Sequence, residues 1–158
     1  MWLESGWAID ARLGSITREH EDIDVAYAKD KEEEYENLLS QLGFKGREST
    51  DYGFLIYRNS VLLDTEPCLQ TKDGYSFKDF PSGSCPARKE GHLDGFPIRC
   101  VSWEAMYYEF LYYLKEIPRE KWRSKDFESF KIVTNHVPRE KKSELEELFH
   151  SNYPSRLV

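Results

Sequence analysis

The chain has 158 residues, of which 39% are hydrophobic, 15% aromatic and 32% charged. This composition is too apolar for a disordered chain, and no apolar run approaches the ~18 residues that a membrane span needs. The net charge of −7 argues against nucleic acid as a partner and suits metal cations or a cationic small molecule. With no signal-peptide pattern at its start, the chain is predicted to be one cytoplasmic domain over 1–158, with no membrane partner.

The cysteines are Cys68, Cys85 and Cys100. Their number is odd, they are far apart in sequence, and none belongs to a C-x-x-C pattern. Both a disulfide scaffold and a zinc site are therefore disfavoured, and buried free thiols are predicted.

Short strands and helices alternate in the first hundred residues. Strands are predicted over 2–3, 22–27, 52–57, 61–66 and 96–101, and helices over 7–13 and 30–42. Gly14 and Gly43 are typical stop signals for the two helices. Proline and glycine recur through residues 67–92, which are predicted to form one long loop.

The C-terminal part is predicted to be helical. Ser102 caps a helix, helical pieces follow near 119–135, and Pro138 opens a last amphipathic helix. The first of these helices carries an apolar stripe that predicts core packing: Trp103, Met106, Tyr107, Phe110, Leu111 and Leu114. Tyr108, Tyr112 and Tyr113 fall off the stripe and are candidates for lining a cleft or a homodimer surface. The order of elements indicates an α+β fold, with a core over about 1–101 and a helical part over about 102–158.

Carboxylates at strand positions two residues apart form the first functional pattern. Asp22 and Asp24 share one strand face, as do Asp64 and Glu66 on a later apolar strand. Like charges so close repel unless a cation neutralises them, and carboxylate oxygens are ligands of Mg²⁺. A D-x-D pattern alone more often marks a solvated strand face.

A possible phosphate cradle strengthens the functional hypothesis. The first strand ends at Ser5 and Gly6, directly before a helix, whose N-terminal N–H groups and dipole favour an anion. A cradle, a paired-carboxylate strand and a third carboxylate together outline a two-metal phosphoryl-transfer site. We expect Asp22, Asp24 and Asp64 to converge on one pocket that Gly6 faces.

The sequence resembles a known family over these residues. WLESGWAID at 2–10, Leu13-Gly14, and TREHEDID at 17–24 are similar to the signature of small antibiotic nucleotidyltransferases. These are the lincosamide and aminoglycoside adenylyltransferases of the DNA polymerase beta superfamily. The resemblance implies a polymerase-beta-like core with a mixed sheet and helices on one face. It also implies Mg²⁺-dependent transfer of a nucleoside monophosphate, AMP from ATP, to a hydroxyl of a small molecule.

The resemblance also implies roles for individual residues. Asp22, Asp24 and Asp64 would bind Mg²⁺, and Ser5-Gly6 would hold the nucleotide phosphates. The family has a general base on the Asp64 strand, where Glu66 is the best-placed candidate and Asp64 the alternative. Ser5 stands where the family has glycine, which adds a hydroxyl and restricts the backbone.

Basic residues flank the paired carboxylates. Arg18 is a candidate for neutralising triphosphate charge, and His20 for orienting a carboxylate or the nucleotide. The alternative is that both tie the link to the strand by local hydrogen bonds. The remaining histidines are predicted at the surface, and Lys125-Asp126 is predicted to start a helix rather than to form a site.

Two further functional classes stay open. One is a catalytically inactive module of this fold that binds a nucleotide or a partner, favoured by Ser5, by the short chain and by the lack of a helix ahead of the first strand. The other is a toxin–antitoxin nucleotidyltransferase that modifies protein or RNA. Retention of mutually repelling carboxylates favours the enzyme over the inactive module, because a decayed site has no reason to keep them together.

Overall fold

The computed structural model describes residues 1–154 of the chain. These residues fold around a mixed β-sheet. Its strands are β1 (Trp2–Leu3), β2 (Ile23–Ala28), β3 (Lys45–Ser49), β4 (Phe54–Arg58), β5 (Val61–Thr71) and β6 (Gly74–Ser76). The order is β1-β2-β5-β4-β3, with β6 pairing the end of β5. Strands β2 and β5 run parallel, and the other pairs are antiparallel. A separate hairpin joins β7 (Gly91–Leu93) to β8 (Phe96–Ile98).

The helices begin and end at ordinary local signals. They are α1 (Ser5–Leu13), α2 (Glu32–Gln41), α3 (Trp103–Glu116), α4 (Ser124–His136) and α5 (Arg139–Asn152). Gly14 ends α1 in the left-handed conformation, with φ of 72°. The Ser102 hydroxyl accepts the Ala105 amide and caps α3, as predicted.

The structure confirms the α+β class with a mixed sheet. Helices cover both faces of that sheet, however, and not one face as expected. Val25 and Tyr27 of β2 pack against Tyr35 and Leu39 of α2. The alternating Ala26 and Ala28 instead face the cluster that contains α1, α3, α4 and α5. The expectation of helices on one face is therefore wrong for α2, because β2 is apolar on both faces and each face needs a cover.

Two other expectations about the strands are also wrong. Residues 67–92 are not one loop, because β5 continues to Thr71, pairs with β6, and is followed by β7. Pro67 lies within β5, Gly74 and Gly91 begin β6 and β7, and Pro81, Gly83 and Pro86 lie between β6 and β7. The strand predicted over 96–101 ends at Ile98, and β3 had not been predicted because its KGRES sequence lacks apolar residues.

The apolar stripe of α3 packs into the core, with Met106 and Tyr107 buried, except that Leu114 at its end is exposed. The prediction for Tyr108 is wrong: it is fully buried, and its hydroxyl accepts a hydrogen bond from Asn152 of α5. Helix α5 covers the side of α3 that carries Tyr108. The spacing of the apolar residues within α3 does not predict this packing. Tyr112 packs on Phe149 of α5.

Two smaller expectations, on the cysteines and on the remaining histidines, are confirmed. The three cysteines are buried free thiols. His92, His136 and His150 are exposed. Within residues 1–154, no helix has the length and hydropathy to cross a membrane.

Candidate active site

The carboxylates lie where β2 and β5 run side by side. Asp24 and Asp64 are register partners, so their backbones are about 4.8 Å apart. They share a sheet face with Ala26 and Cys68, the face that α1 and α3 cover. The Glu4 amide donates to the Asp24 carbonyl at 3.0 Å, which fixes the start of α1 beside this strand pair.

Two adjoining chambers open around these residues. The helix-lined chamber, of about 240 Å³, is formed by α1, α3, α4 with its N-cap, the link before β2 and the start of β2. Its lining residues are Ser5, Gly6, Ile9, Arg18, His20, Glu21, Asp22, Asp24, Met106, Glu109, Phe110, Tyr113, Arg123, Lys125, Asp126 and Ser129. The acidic chamber, of about 250 Å³, is lined by Glu4, Ser5, Asp24, Tyr52, Asp64, Glu66 and Glu109. Ser5, Asp24 and Glu109 line both chambers and mark their boundary.

The predicted site residues are therefore brought together, but not in one pocket. Ser5, Gly6, Arg18, His20 and Asp22 line the helix-lined chamber. Asp64 and Glu66 line the acidic one. Asp24 connects the two sets.

Negative charge accumulates in the acidic chamber. Burial, followed by repulsion from Asp22 and Asp64, raises the pKa of Asp24 to about 6. Burial and then Asp64 raise the pKa of Glu66 to about 7. Burial, Asp24 and Glu66 raise the pKa of Glu109 to about 7, although its side chain still meets solvent in the chamber. A bound cation would relieve the repulsion that contributes to these raised pKa values.

One carboxylate oxygen lacks any hydrogen-bond partner. Asp64 Oδ2 accepts the Tyr52 hydroxyl at 2.8 Å, whereas Asp64 Oδ1 is buried without a partner. Among residues 1–154 no three metal-ligating side chains are already grouped around one point. Mg²⁺ does not require such a group, because it is usually held by one or two carboxylates together with substrate phosphates. The donors present fit that mode of binding.

The start of α1 has the features of an anion cradle. Ser5 adopts φ of 47°, a left-handed conformation that costs a non-glycine residue about 1 kcal/mol. This explains physically why glycine is usual there in the family that the sequence resembles. At Gly6 an added Cβ would lie 2.5 Å from Arg18 Nη2 and 2.5 Å from His20 Cε1. Arg18 and His20 thus lie directly against the first turn of α1.

A buried carboxylate fixes this arrangement. Asp10 Oδ2 lies 2.7 Å from His20 Nε2, and Asp10 Oδ1 accepts both the amide and the hydroxyl of Thr17. The His20 ring also packs on Trp7, with centroids 4.5 Å apart, and the Trp7 indole donates to the Asp22 carbonyl. His20 therefore makes the local hydrogen bonds of the alternative hypothesis while its ring still lines the chamber.

Helix α4 supplies residues that sequence reasoning had not assigned to the site. Lys125 pairs with Glu21 at 3.0 Å across the chamber mouth. Asp126 caps α4, as the helix-start hypothesis predicts, and it binds Arg123 and the Tyr113 hydroxyl. Of the off-stripe tyrosines, Tyr113 does line a cleft. About one hundred residues separate α4 from the β2 carboxylates, so no local pattern connects them.

Comparison with known proteins identifies the family. A model of the aminoglycoside-2''-adenylyltransferase family matches residues 1–154. The chain belongs to this family. It is 40% identical over 153 residues to 2''-aminoglycoside nucleotidyltransferases of Escherichia coli and Klebsiella pneumoniae, an alignment that covers 97% of this chain and 86% of theirs. The resemblance read from the sequence is thereby confirmed.

Solved structures agree with this assignment. The crystal structure of ANT(2'')-Ia in complex with adenylyl-2''-tobramycin superimposes with a TM-score of 0.90 at 40% identity, covering 96% of this chain and 87% of that one. Lincomycin-bound lincosamide adenylyltransferase LnuA has a TM-score of 0.60 at 20% identity, with 86% of each chain covered, and shows the shared fold alone. This family member is a nucleotidyltransferase.

Proposed function

We propose that this nucleotidyltransferase moves AMP from ATP to a hydroxyl of an aminoglycoside, with Mg²⁺ as cofactor. The observation that carries the proposal is the contrast between two chambers that meet at Ser5, Asp24 and Glu109. The lining of the helix-lined chamber combines basic side chains and an apolar wall with five carboxylates, whereas the lining of the acidic chamber has five carboxylates and no basic side chain. A nucleotide and a cationic acceptor need these two environments side by side.

The helix-lined chamber suits the nucleotide. The N–H groups at the start of α1 and the charges of Arg18 and Lys125 favour phosphate oxygens. Ile9, Met106 and Phe110 form an apolar wall that can cover a base. The Asp10 network holds His20 and the link that carries Arg18 against that helix start.

The acidic chamber suits the acceptor. Glu4, Asp64, Glu66 and Glu109 line it, and an aminoglycoside carries several ammonium groups. Each ammonium would relieve part of the repulsion that raises the carboxylate pKa values. The related ANT(2'')-Ia has been crystallised with adenylyl-2''-tobramycin, which supports an acceptor of this class.

Asp22, Asp24 and Asp64 would hold Mg²⁺, with the unpartnered Asp64 Oδ1 as one ligand atom. When bound, the ion would neutralise charge on the transferring phosphoryl group and on the pyrophosphate.

Glu66 is the proposed general base. It lies on the same face of β5 as Asp64 and lines the acceptor chamber. The acceptor oxygen forms a bond to the α-phosphorus, the bond from that phosphorus to the bridging oxygen breaks, and pyrophosphate leaves. The hydroxyl proton passes to the Glu66 carboxylate, with Asp64 as the alternative acceptor.

The test is a transfer assay with ATP labelled at the α-phosphate, Mg²⁺ and a panel of aminoglycosides, lincosamides, protein and RNA. Labelled aminoglycoside is the expected product. Glu66→Gln should lower turnover by about 10²–10⁴-fold and leave nucleotide binding nearly unchanged. Asp24→Asn and Asp64→Asn should impair metal-dependent nucleotide binding as well.

Each alternative hypothesis has its own outcome in this assay. Nucleotide binding without transfer to any acceptor would favour the inactive module. Label on protein or RNA alone would favour the toxin type. If Glu66→Gln keeps full turnover in an active enzyme, the base assignment moves to Asp64.

A further inference from the structure

One exposed aromatic residue contacts the proposed metal-binding carboxylates directly. The Tyr52 hydroxyl donates to Asp64 Oδ2 at 2.8 Å. Its ring is half exposed and forms part of the wall of the acidic chamber. Tyr52 lies on the turn before β4, outside the strand pair that carries Asp24 and Asp64.

The backbone of this turn is fastened to β5. The Thr50 amide donates to the Gly53 carbonyl, and the Gly53 amide donates to the Thr50 hydroxyl at 2.9 Å. Gly53 packs so tightly on the Thr65 carbonyl that an added Cβ would overlap it. The buried Thr65 hydroxyl in turn donates to the Phe54 carbonyl at 2.7 Å. These contacts, rather than the tyrosine side chain, determine where Tyr52 is presented.

The consequence concerns the orientation of Asp64. A carboxylate can rotate about its side-chain bonds, and a hydrogen bond to one oxygen fixes where the other points. While Oδ2 is held by Tyr52, Oδ1 is buried and has no hydrogen-bond partner. Asp24 is the register partner of Asp64 on β2, so a cation held between the two strands would find this oxygen without a competing hydrogen bond.

We infer that Tyr52 is a positioning residue for the metal ligand Asp64 and that its ring forms the wall against which the acceptor sugar packs. The inference rests on the proposed function. An aminoglycoside presents ammonium groups and C–H faces, and an aromatic face attracts both, most strongly at a partly desolvated site. The hydroxyl and the ring therefore have separable effects.

Two substitutions separate these effects. Tyr52→Phe removes the hydroxyl and keeps the ring, so it should weaken Mn²⁺ binding about tenfold in the presence of a non-hydrolysable ATP analogue, with kcat lowered by a similar factor. The acceptor KM should stay within about twofold of wild type. Tyr52→Leu also removes the ring and should raise the acceptor KM about tenfold further. Tyr57→Phe on β4 is the matched control, because Tyr57 lines neither chamber.

Mn²⁺ affinity is measured by electron paramagnetic resonance, so one readout does not depend on turnover. Unchanged Mn²⁺ affinity and kcat in Tyr52→Phe would overturn the positioning role. An unchanged acceptor KM in Tyr52→Leu would contradict the inference that the Tyr52 ring packs against the acceptor sugar. If the wild type modifies no aminoglycoside yet Tyr52→Phe still weakens Mn²⁺ binding, the proposed acceptor fails while the positioning of Asp64 stands.

Discussion

Replacing Asp10 by alanine should be among the most destabilising changes in the N-terminal half of this protein. The carboxylate is completely buried and makes three hydrogen bonds, two with Thr17 and one with His20. The His20 side chain is only 4% exposed, so water cannot readily replace the lost partner. Three hydrogen bonds are lost and His20 is left without its partner; at roughly 1–2 kcal/mol for each bond, we expect a loss of about 4 kcal/mol.

Urea denaturation followed by tryptophan fluorescence measures this cost, and a thermal scan should show a fall in Tm of roughly 10 °C. Asp10→Asn is the graded variant: its amide oxygen still accepts from Thr17 and its N–H group can donate to His20. It should lose about 1–2 kcal/mol. Glu128→Ala removes an exposed carboxylate on α4 and serves as control. A loss below about 1 kcal/mol in Asp10→Ala would refute the importance of this network.

Three further predictions concern the cradle and the chamber boundary. Gly6→Ala should abolish the nucleotide-dependent rise in Tm, because its Cβ would lie 2.5 Å from Arg18 and His20. Ser5→Gly should be about 1 kcal/mol more stable than Ser5→Ala in urea titrations, since only glycine relieves the positive φ of 47°. The pKa of Glu109 is raised from 4.5 to about 7, so the wild type should lose stability as the pH rises from about 4.5 to about 7, with the loss levelling off at higher pH. Glu109→Gln should show a smaller fall in Tm between about pH 5 and about pH 8 than the wild type, the remaining fall coming from Asp24 and Glu66.

Local signals predicted most of the N-terminal half correctly. The alternation in β2 and the glycine that ends α1 depend on neighbouring residues alone, and both appear where expected. The prediction that Asp22 and Asp24 share one face of a strand likewise depends only on their spacing of two residues. That Asp64 lies beside Asp24 depends on the parallel pairing of β2 with β5. The sequence supplied this only through its resemblance to a family.

Contacts between distant segments explain what could not be predicted. Strand β3 has no apolar residue and forms because the edge of β4 is available for pairing. Tyr108 is buried because α5 packs beside α3. Lys125 reaches the site only because α4 folds back against the link before β2. The domain limits, the cytoplasmic location and a homodimer stay predictions.

The basic side chains of the site are concentrated in one of its two chambers, so the net charge of the chain does not describe the site. A net charge of −7 would repel a nucleotide if it acted uniformly. Screening at physiological salt limits exposed charges to about 8 Å, so the nearest groups decide which ligand is attracted. Arg18, Arg123 and Lys125 line the helix-lined chamber beside five carboxylates, whereas the lining of the acidic chamber has carboxylates and no basic side chain. One chain can therefore attract a polyanion and a polycation at adjoining positions, and in the proposed reaction they meet at the boundary, where the phosphoryl group is transferred.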